Sequence, residues 1–474
     1  MTRTGAEGGA TVARAGALVL PLALAQFIAS YAASNMNVAI STIADDLGTD
    51  VTGIQTTITL FTLTMAALMI PGSKLTDIWG RKRCFVIGLL VYAAGALLAS
   101  VSQGLALLTI GYSLLEGVGS ALLIPPIYIL ITVYFDDLKQ RAKWFGVVSG
   151  AAGLGSAAGP LIGGLITSYV SWRASFLLQV VVVLYIVFLA RRIEDPPLPS
   201  TRPAFDLLGA VLSAAGLFLV VYGILQTNTY GWGLSRVWLY VALGVLVLVA
   251  YFVHAAARER GGRAPLFSVS LFRNRTSNLG LLTQNVQWLV LQGVFFVISV
   301  FLQQERGYSA IQTGLTLVPA TVGILLSSAM AQRMASRHPQ RLLIRAGFTT
   351  TVVGIALLLL LAREDSANWT FWPGLFLMGF GVGTMLTASV NVVQSAWPED
   401  VQGDISGVSR SVSNLGSSLG VAVAGSVLVA ATAGGSAPFL TAIVVVGGFA
   451  VVGWVAALLL PHQQHPADEA TPAR

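Results

Sequence analysis

The sequence predicts an all-α membrane protein of fourteen transmembrane helices, arranged as two six-helix bundles with an inserted helix pair between them. Three observations carry that prediction. Of the 474 residues, 55% are hydrophobic and only 10% charged, whereas a soluble domain carries about 25% charged residues. Apolar runs recur at the ~20-residue length needed to cross ~30 Å of hydrocarbon. The basic residues fall in short segments between those runs, alternately many and few.

The first six runs lie near 16–40, 53–72, 84–102, 105–133, 143–168 and 174–190. Arg14, with Ala32-Ala33-Ser34 further on, mimics a secretory leader. The run exceeds the 7–15 apolar residues of a leader core and many spans follow, so it reads as the first helix. Two runs follow at 206–226 and 237–256, bracketed by a charged, Pro-rich linker (191–205) and an Arg-rich one (257–276). Six more lie near 277–302, 311–332, 341–361, 370–394, 406–431 and 438–460. The layout gives a first bundle at 1–190, linkers and inserted pair at 191–275, and a second bundle with its tail at 276–474.

An even count places both termini on one side, and the positive-inside rule names that side cytoplasmic. All but Arg173, Arg236, Arg306 and Arg363 of the 27 Lys and Arg residues then fall there. The net charge of +7 invites a nucleic-acid reading, but there is neither a basic helix face nor aromatic interleaving. The expected partners are the lipid bilayer, a small-molecule substrate and protons, with no nucleic acid and a monomeric chain. Cys84 is the sole cysteine and the four histidines lack ligand spacing, so no metal or cofactor is expected. No Walker-type phosphate loop occurs, which speaks against an ATP-driven pump. No Ser/His/Asp set converges, which speaks against an enzyme.

Two motifs stand out. The segment SKLTDIWGRKR (73–83) sets Asp77, Gly80, Arg81, Lys82 and Arg83 between the second and third helices. A carboxylate there can cap a helix or pair with a basic residue of the other bundle. Positive-inside bias explains the basic residues but not the spacing of Asp and Gly. The fifth helix reads GVVSGAAGLGSAAGPLIGG (146–164), with Gly155, Gly159 and Gly163 four apart and Gly146, Gly150, Gly153 and Ala157 on an adjacent stripe. Small residues so spaced let backbones approach closely in a bilayer, and Pro160 permits a bend.

The first motif resembles the G-x-L-x-D-x-x-G-R-K loop signature of the major facilitator superfamily, with Ser73 at its first Gly. The second resembles, through Gly155, Gly159, Pro160, Gly163 and Gly164, the signature of antiporters within that superfamily. NVAISTI (37–43), SWRASF (171–176), GILQTNTYGWG (223–233), PLFSVSLFRNRT (265–276), GYSAIQTGLTLVPATVG (307–323) and the 397–420 stretch look like the fourteen-helix drug:proton antiporters of the EmrB/QacA type. AQRMASRHPQRLL (331–343) partly echoes the first motif, with Ser336 at the Asp place, as two related halves would require. The resemblance covers nearly the whole chain. It implies alternating access about a central site, export by proton exchange across a bacterial cytoplasmic membrane, and a loop at 72–83 that latches one state. Two places depart from the pattern. Ala32 stands where the first helix of such proteins carries an Asp, and Ser113 and Glu116 stand where the fourth carries an Arg and a Gln.

Glu116 is the one acidic residue near the middle of a span. An intramembrane charge costs about 2.5–3.5 kcal/mol on insertion scales, so such groups face a cavity or a partner. Thr109, Tyr112, Ser113, Gly119 and Ser120 share its face, a stripe suited to lining water. Desolvation would let such a carboxyl exchange protons near physiological pH. Glu116 is therefore the expected coupling site, binding a proton, a substrate cation, or each in turn. A protonated carboxyl bonded to a neighbouring helix would explain the same stripe structurally. Gln26, Ser30, Ser34 and Asn37 on the first helix, and Gln284, Gln287, Trp288 and Gln292 on the ninth, are further candidates to line the cavity. Polar stripes also glue helices together. The expected cargo is a small amphipathic, drug-like and possibly cationic molecule. Alternatives are a dedicated exporter of an endogenous metabolite, lipid or antibiotic, and a transport-inactive membrane sensor.

Overall fold

The computed structural model describes residues 4–135, 138–194, 204–335, 338–363, 366–397, 401–433 and 437–461. Among them, fourteen helices are long and apolar enough to cross a membrane. In chain order these are α1 (Leu18–Val38), α2 (Val51–Trp79), α3 (Arg81–Ser100), α4 (Leu105–Tyr134), α5 (Gly146–Tyr169), α6 (Trp172–Ala190) and α7 (Leu207–Leu225). There follow α8 (Ser235–Arg260), α9 (Arg275–Glu305), α10 (Ala310–Met330), α11 (Gln340–Leu361), α12 (Asn368–Gln394), α13 (Asp404–Thr432) and α14 (Pro438–Leu458). The start of α1 and the end of α14 share one side, called here the terminal face; the other is the far face.

Helices are what an apolar solvent permits, because each backbone N–H and C=O must find its partner within the segment. Polar residues at the boundaries satisfy the first free amides. Asp50 accepts from the Gly53 amide at 2.8 Å ahead of α2. Asn274 accepts from the amides of Thr276 and Ser277 ahead of α9.

The packing order repeats. α1 packs on α5, α2 on α4, and α3 on both α4 and α6. Advancing every helix by eight gives α9 on α13, α10 on α12, and α11 on both α12 and α14, which is also observed. The two halves meet along α2–α13 and α5–α10, pairs that the same shift exchanges. The chain is thus built as a two-fold structural repeat.

The inserted pair α7–α8 packs on itself and lays α7 over α2 and α13. Leu63, Val221, Leu225 and Ala422 form the shared buried patch. Near the terminal face, Tyr251, Leu266, Phe267 and Leu271 join Val393 and Ile405, tying the pair and the segment before α9 to α12 and α13.

Local structure departs from the expected spans in three places. The α-helix of α1 ends at Asn35, turns through a 3-10 segment at Met36–Val38, and resumes as a short helix at Ile40–Asp46. The side chain of Gln303 bridges the break, donating to the Asn37 carbonyl at 3.1 Å and accepting from the Ser41 amide at 3.0 Å. Residues Thr109–Glu116 of α4 form a π-helical segment, a form met mostly at functional sites. The 73–83 motif is barely a loop: α2 runs to Trp79, α3 starts at Arg81, and Gly80 alone reverses the chain with φ +101°. A side chain would be strained there.

Candidate functional site

Glu116 closes the π-helical segment and is wholly buried. Its surroundings belong to its own half. Tyr92 of α3 stands beside the carboxylate, and the Tyr92 hydroxyl donates to Gln179 Oε1 of α6 at 2.5 Å. Tyr112 donates to the Ala32 carbonyl of α1 at 3.0 Å. Tyr31 and Asn35 of α1 both bond Ser175 of α6, at 2.5 and 2.9 Å. Neither oxygen of Glu116 has a hydrogen-bond partner, and neither has Gln179 Nε2. A carboxyl with two idle acceptors and an amide with idle donors thus share Tyr92 as a neighbour.

The stripe expected to line water lies on α4 as predicted, but it faces helices. Thr109 bonds Thr57 of α2 at 3.1 Å, and Ser113 donates to the Thr57 carbonyl at 2.7 Å. Ser120 is buried, and a Cβ at Gly119 would stand 2.6 Å from the Tyr92 amide nitrogen. The physical reason is backbone approach. Gly88 and Gly95 on α3 meet Gly111 and Gly119 on α4 so closely that a Cβ on Gly95 would lie 2.6 Å from the Gly111 carbonyl. No room is left for a water channel.

Between the halves, the far face is shut. Gln292 of α9 donates to the Ala33 carbonyl at 3.1 Å, next to the Gln303 bridge. On α5, a Cβ at Gly164 would stand 2.7 Å from the Ala310 carbonyl, and Ser168 accepts from the Ile311 amide at 3.0 Å. The α2–α13 seam is closed along its length. Ser418 donates to the Thr59 carbonyl, Ser411 to the Ala66 carbonyl, and Lys74 pairs with Asp404 at 2.5 Å. The α5–α10 seam opens toward the terminal face. Gly153 shares the stripe of Pro160 and Gly164, yet nothing lies within 4 Å of where its Cβ would be.

The expected lining residues therefore divide. Gln26 and Ser30 bond each other at 3.3 Å, and Gln26 accepts from Tyr128 of α4 at 3.3 Å; the Tyr128 ring carries the Arg410 guanidinium of α13 at 4.4 Å. These residues stand where the halves meet. Trp288 is half-buried. Asn37 and Gln292 belong to the far-face closure. Ser34 packs on Gly159, whose Cβ would clash with its hydroxyl at 1.9 Å. Tyr112 and Ser113 lie inside the first half. Gln284 and Gln287 accept from Ser409 at 2.7 Å and Ser389 at 3.1 Å, inside the second.

Of the motif residues, Asp77 lies in the last turn of α2 rather than at a helix N-terminus, within electrostatic reach of Lys74, Arg81 and Asp404. The ionic contact between halves is made by Lys74, three residues earlier. Lys82 reaches the Arg191 carbonyl at 3.4 Å, inside its own half. On α5, Gly155, Gly159 and Gly163 face α1, whereas Pro160 and Gly164 face α10.

Three features escaped the sequence reading. Lys74–Asp404 joins residues 330 apart, which no local spacing reveals. Arg410 lies six residues into α13, about 9 Å deep at 1.5 Å per residue. Its depth follows from its position in the run, as the depth of Glu116 does. The third is Asp206, which caps α7 through the Gly209 amide at 3.0 Å and accepts from His254 at 3.0 Å, with Arg258 at 3.6 Å. Burial would raise this carboxyl, but the His254 hydrogen bond, the Gly209 amide and the Arg258 charge together hold it below the usual carboxylate range. Among the described residues, no group of His, Cys, Asp and Glu could hold a metal ion.

Comparison with known proteins agrees with this architecture. The profile of the Major Facilitator Superfamily matches residues 22–421 and 280–474. A probable actinorhodin transporter of Streptomyces coelicolor is 30% identical over 82% of this chain and 68% of its own. The puromycin resistance protein pur8 of Streptomyces alboniger is 30% identical over 96% and 94%. The cephamycin export protein CmcT of Amycolatopsis lactamdurans is 30% identical over 87% and 85%. The solved structure of a peptide transporter, POT, in complex with sulfate superposes with a TM-score of 0.66 at 16% identity, covering 93% of each chain, and so shares the fold. With its repeated six-helix halves, inserted pair and antibiotic-exporting relatives, the chain is a member of the Major Facilitator Superfamily, within its drug efflux family.

Proposed function

We propose that this transporter is a proton-driven antiporter that exports small amphipathic molecules across a bacterial cytoplasmic membrane, with both termini in the cytoplasm. The observation that carries the coupling is Glu116, a lone mid-span carboxyl, wholly buried, with both oxygens unpaired. Enclosure by α1, α3 and α6 favours an indirect scheme over direct competition between proton and cargo. When Glu116 loses its proton, the charge must find donors, and those within the half are the Tyr92 hydroxyl and Gln179 Nε2. Proton transfer and rearrangement of α1, α3, α4 and α6 then become one event, and the π-helical turn supplies slack in α4. The six-helix halves rock about the interface, alternately opening each face.

The test is transport by purified protein in liposomes under an imposed pH gradient, using a panel of amphipathic dyes. Glu116→Gln should abolish the dependence of export on the gradient while leaving the protein monodisperse. Unchanged pH dependence in that variant would overturn the coupling role. A second reading, export of one product made by the host cell, is favoured by relatives named for single antibiotics, actinorhodin and cephamycin. Export restricted to one compound of such a panel would favour it.

A further inference from the structure

We infer that Arg410 and Tyr128 form a receiving site for an acidic group on the exported molecule, so that the preferred cargo is an amphipathic anion. The inference rests on the export reading above and adds to it the charge of the cargo.

Arg410 lies within a membrane-spanning helix, yet among the described residues its side-chain partner across the interface is an aromatic residue, Tyr128, whose ring lies 4.4 Å away. The nearest charges on the same end of α13 and α2 are matched, Lys74 holding Asp404 at 2.5 Å. No carboxylate pairs with Arg410 among the described residues. Glu116 is not its counter-ion, because it is walled inside the first half, twelve residues before Tyr128 on α4. A cation–π contact consumes none of a guanidinium's five N–H donors, and the hydrogen bond to the Tyr128 hydroxyl takes up only part of them. The rest remain available in the planar fork that matches a carboxylate or sulfonate.

The neighbours complete a polar surface with an apolar flank. Ser406, Arg410 and Asn414 recur at steps of four on α13 and are half-buried. Across the interface, the Tyr128 hydroxyl donates to Gln26 at 3.3 Å, and Gln26 continues to Ser30 at 3.3 Å. Arg410 also lies toward the terminal face, the end at which α5 and α10 part, and the far face beyond it is shut. A molecule arriving from the terminal face thus meets the Arg410 guanidinium before the enclosed Glu116. The expectation of a cationic cargo rested on Glu116 facing the interface, which it does not.

The test uses two dyes on one xanthene skeleton, carboxyfluorescein (anionic) and rhodamine 123 (cationic), in liposomes containing the full chain under an imposed pH gradient. The wild type should export carboxyfluorescein in preference. Arg410→Gln should lower the carboxyfluorescein-to-rhodamine ratio by about tenfold or more, Arg410→Lys should retain part of it, and Arg410→Glu should reverse the preference. An unchanged ratio in Arg410→Gln, or a wild type that moves only rhodamine 123, overturns the anion assignment while leaving export standing. If the wild type moves neither dye, the export reading falls with it.

Discussion

Asp206 shows how one side chain can hold an inserted element in place. It caps α7, accepts from His254 of α8, and takes the Leu266 amide of the following linker at 3.3 Å. Its folded-state carboxyl titrates below the ordinary range, so its stabilisation is complete above the unfolded value of about 3.9 and is lost as pH falls through the folded value. Asp206→Asn should cost about 1–2 kcal/mol by weakening the cap and its charge-assisted bonds. It should lower the melting temperature at pH 7, with the gap to wild type closing as pH falls below the ordinary carboxylate range. A constant gap across that range would show that the charge is not involved. At this scale the sequence was only half legible. Its polarity marked Glu116 as unusual, because a mid-span acid is costly wherever it points. Direction was invisible, since one helix face can turn toward its own half or the other, and glycines on the partner helix decided which. Arg410 is masked in the sequence by the positive-inside bias, which places many basic residues close to the same end of the spans.

Helix α5 carries two kinds of glycine that composition cannot separate. A Cβ on Gly155 would sit 2.2 Å from the Phe27 carbonyl, whereas nothing lies within 4 Å at Gly153. Gly155→Val should therefore collapse the yield of monodisperse protein, and Gly153→Val should not. Equal loss in both would mean that α5 packs differently along this stretch. The small-residue spacing announced close packing, and it could not say which neighbour each glycine meets. The break in α1 was illegible for a similar reason. The run through Met36–Val38 is apolar enough to continue as α-helix, but Gln303, 266 residues away from Asn37, supplies the bond that makes the interruption tolerable.

The architecture of the whole molecule was the most legible, because hydrocarbon thickness, backbone hydrogen bonding and charge placement act on every span alike. Fourteen crossings and the 6+2+6 rhythm follow from those rules. The ties between halves do not, since they join distant parts of the chain. Lys74–Asp404 is the tie most open to measurement. Lys74→Glu and Asp404→Lys should each slow turnover, and the double reversal should recover coupling of about 1 kcal/mol, or roughly fivefold. A double reversal no better than the worse single variant would show that the two residues do not act as a pair.

The repeat makes the two halves near-equivalents, but α7 and α8 break the equivalence at the molecule's perimeter. On that flank an acyl chain meets the exposed Val245 and Leu246 of α8, with α7 between it and the α2–α13 contact. On the opposite flank it meets Leu154 and Leu326 directly, where α5 and α10 part. A motion that the repeat would allow to hinge equally on both sides is therefore wetted by lipid on one side and kept dry on the other.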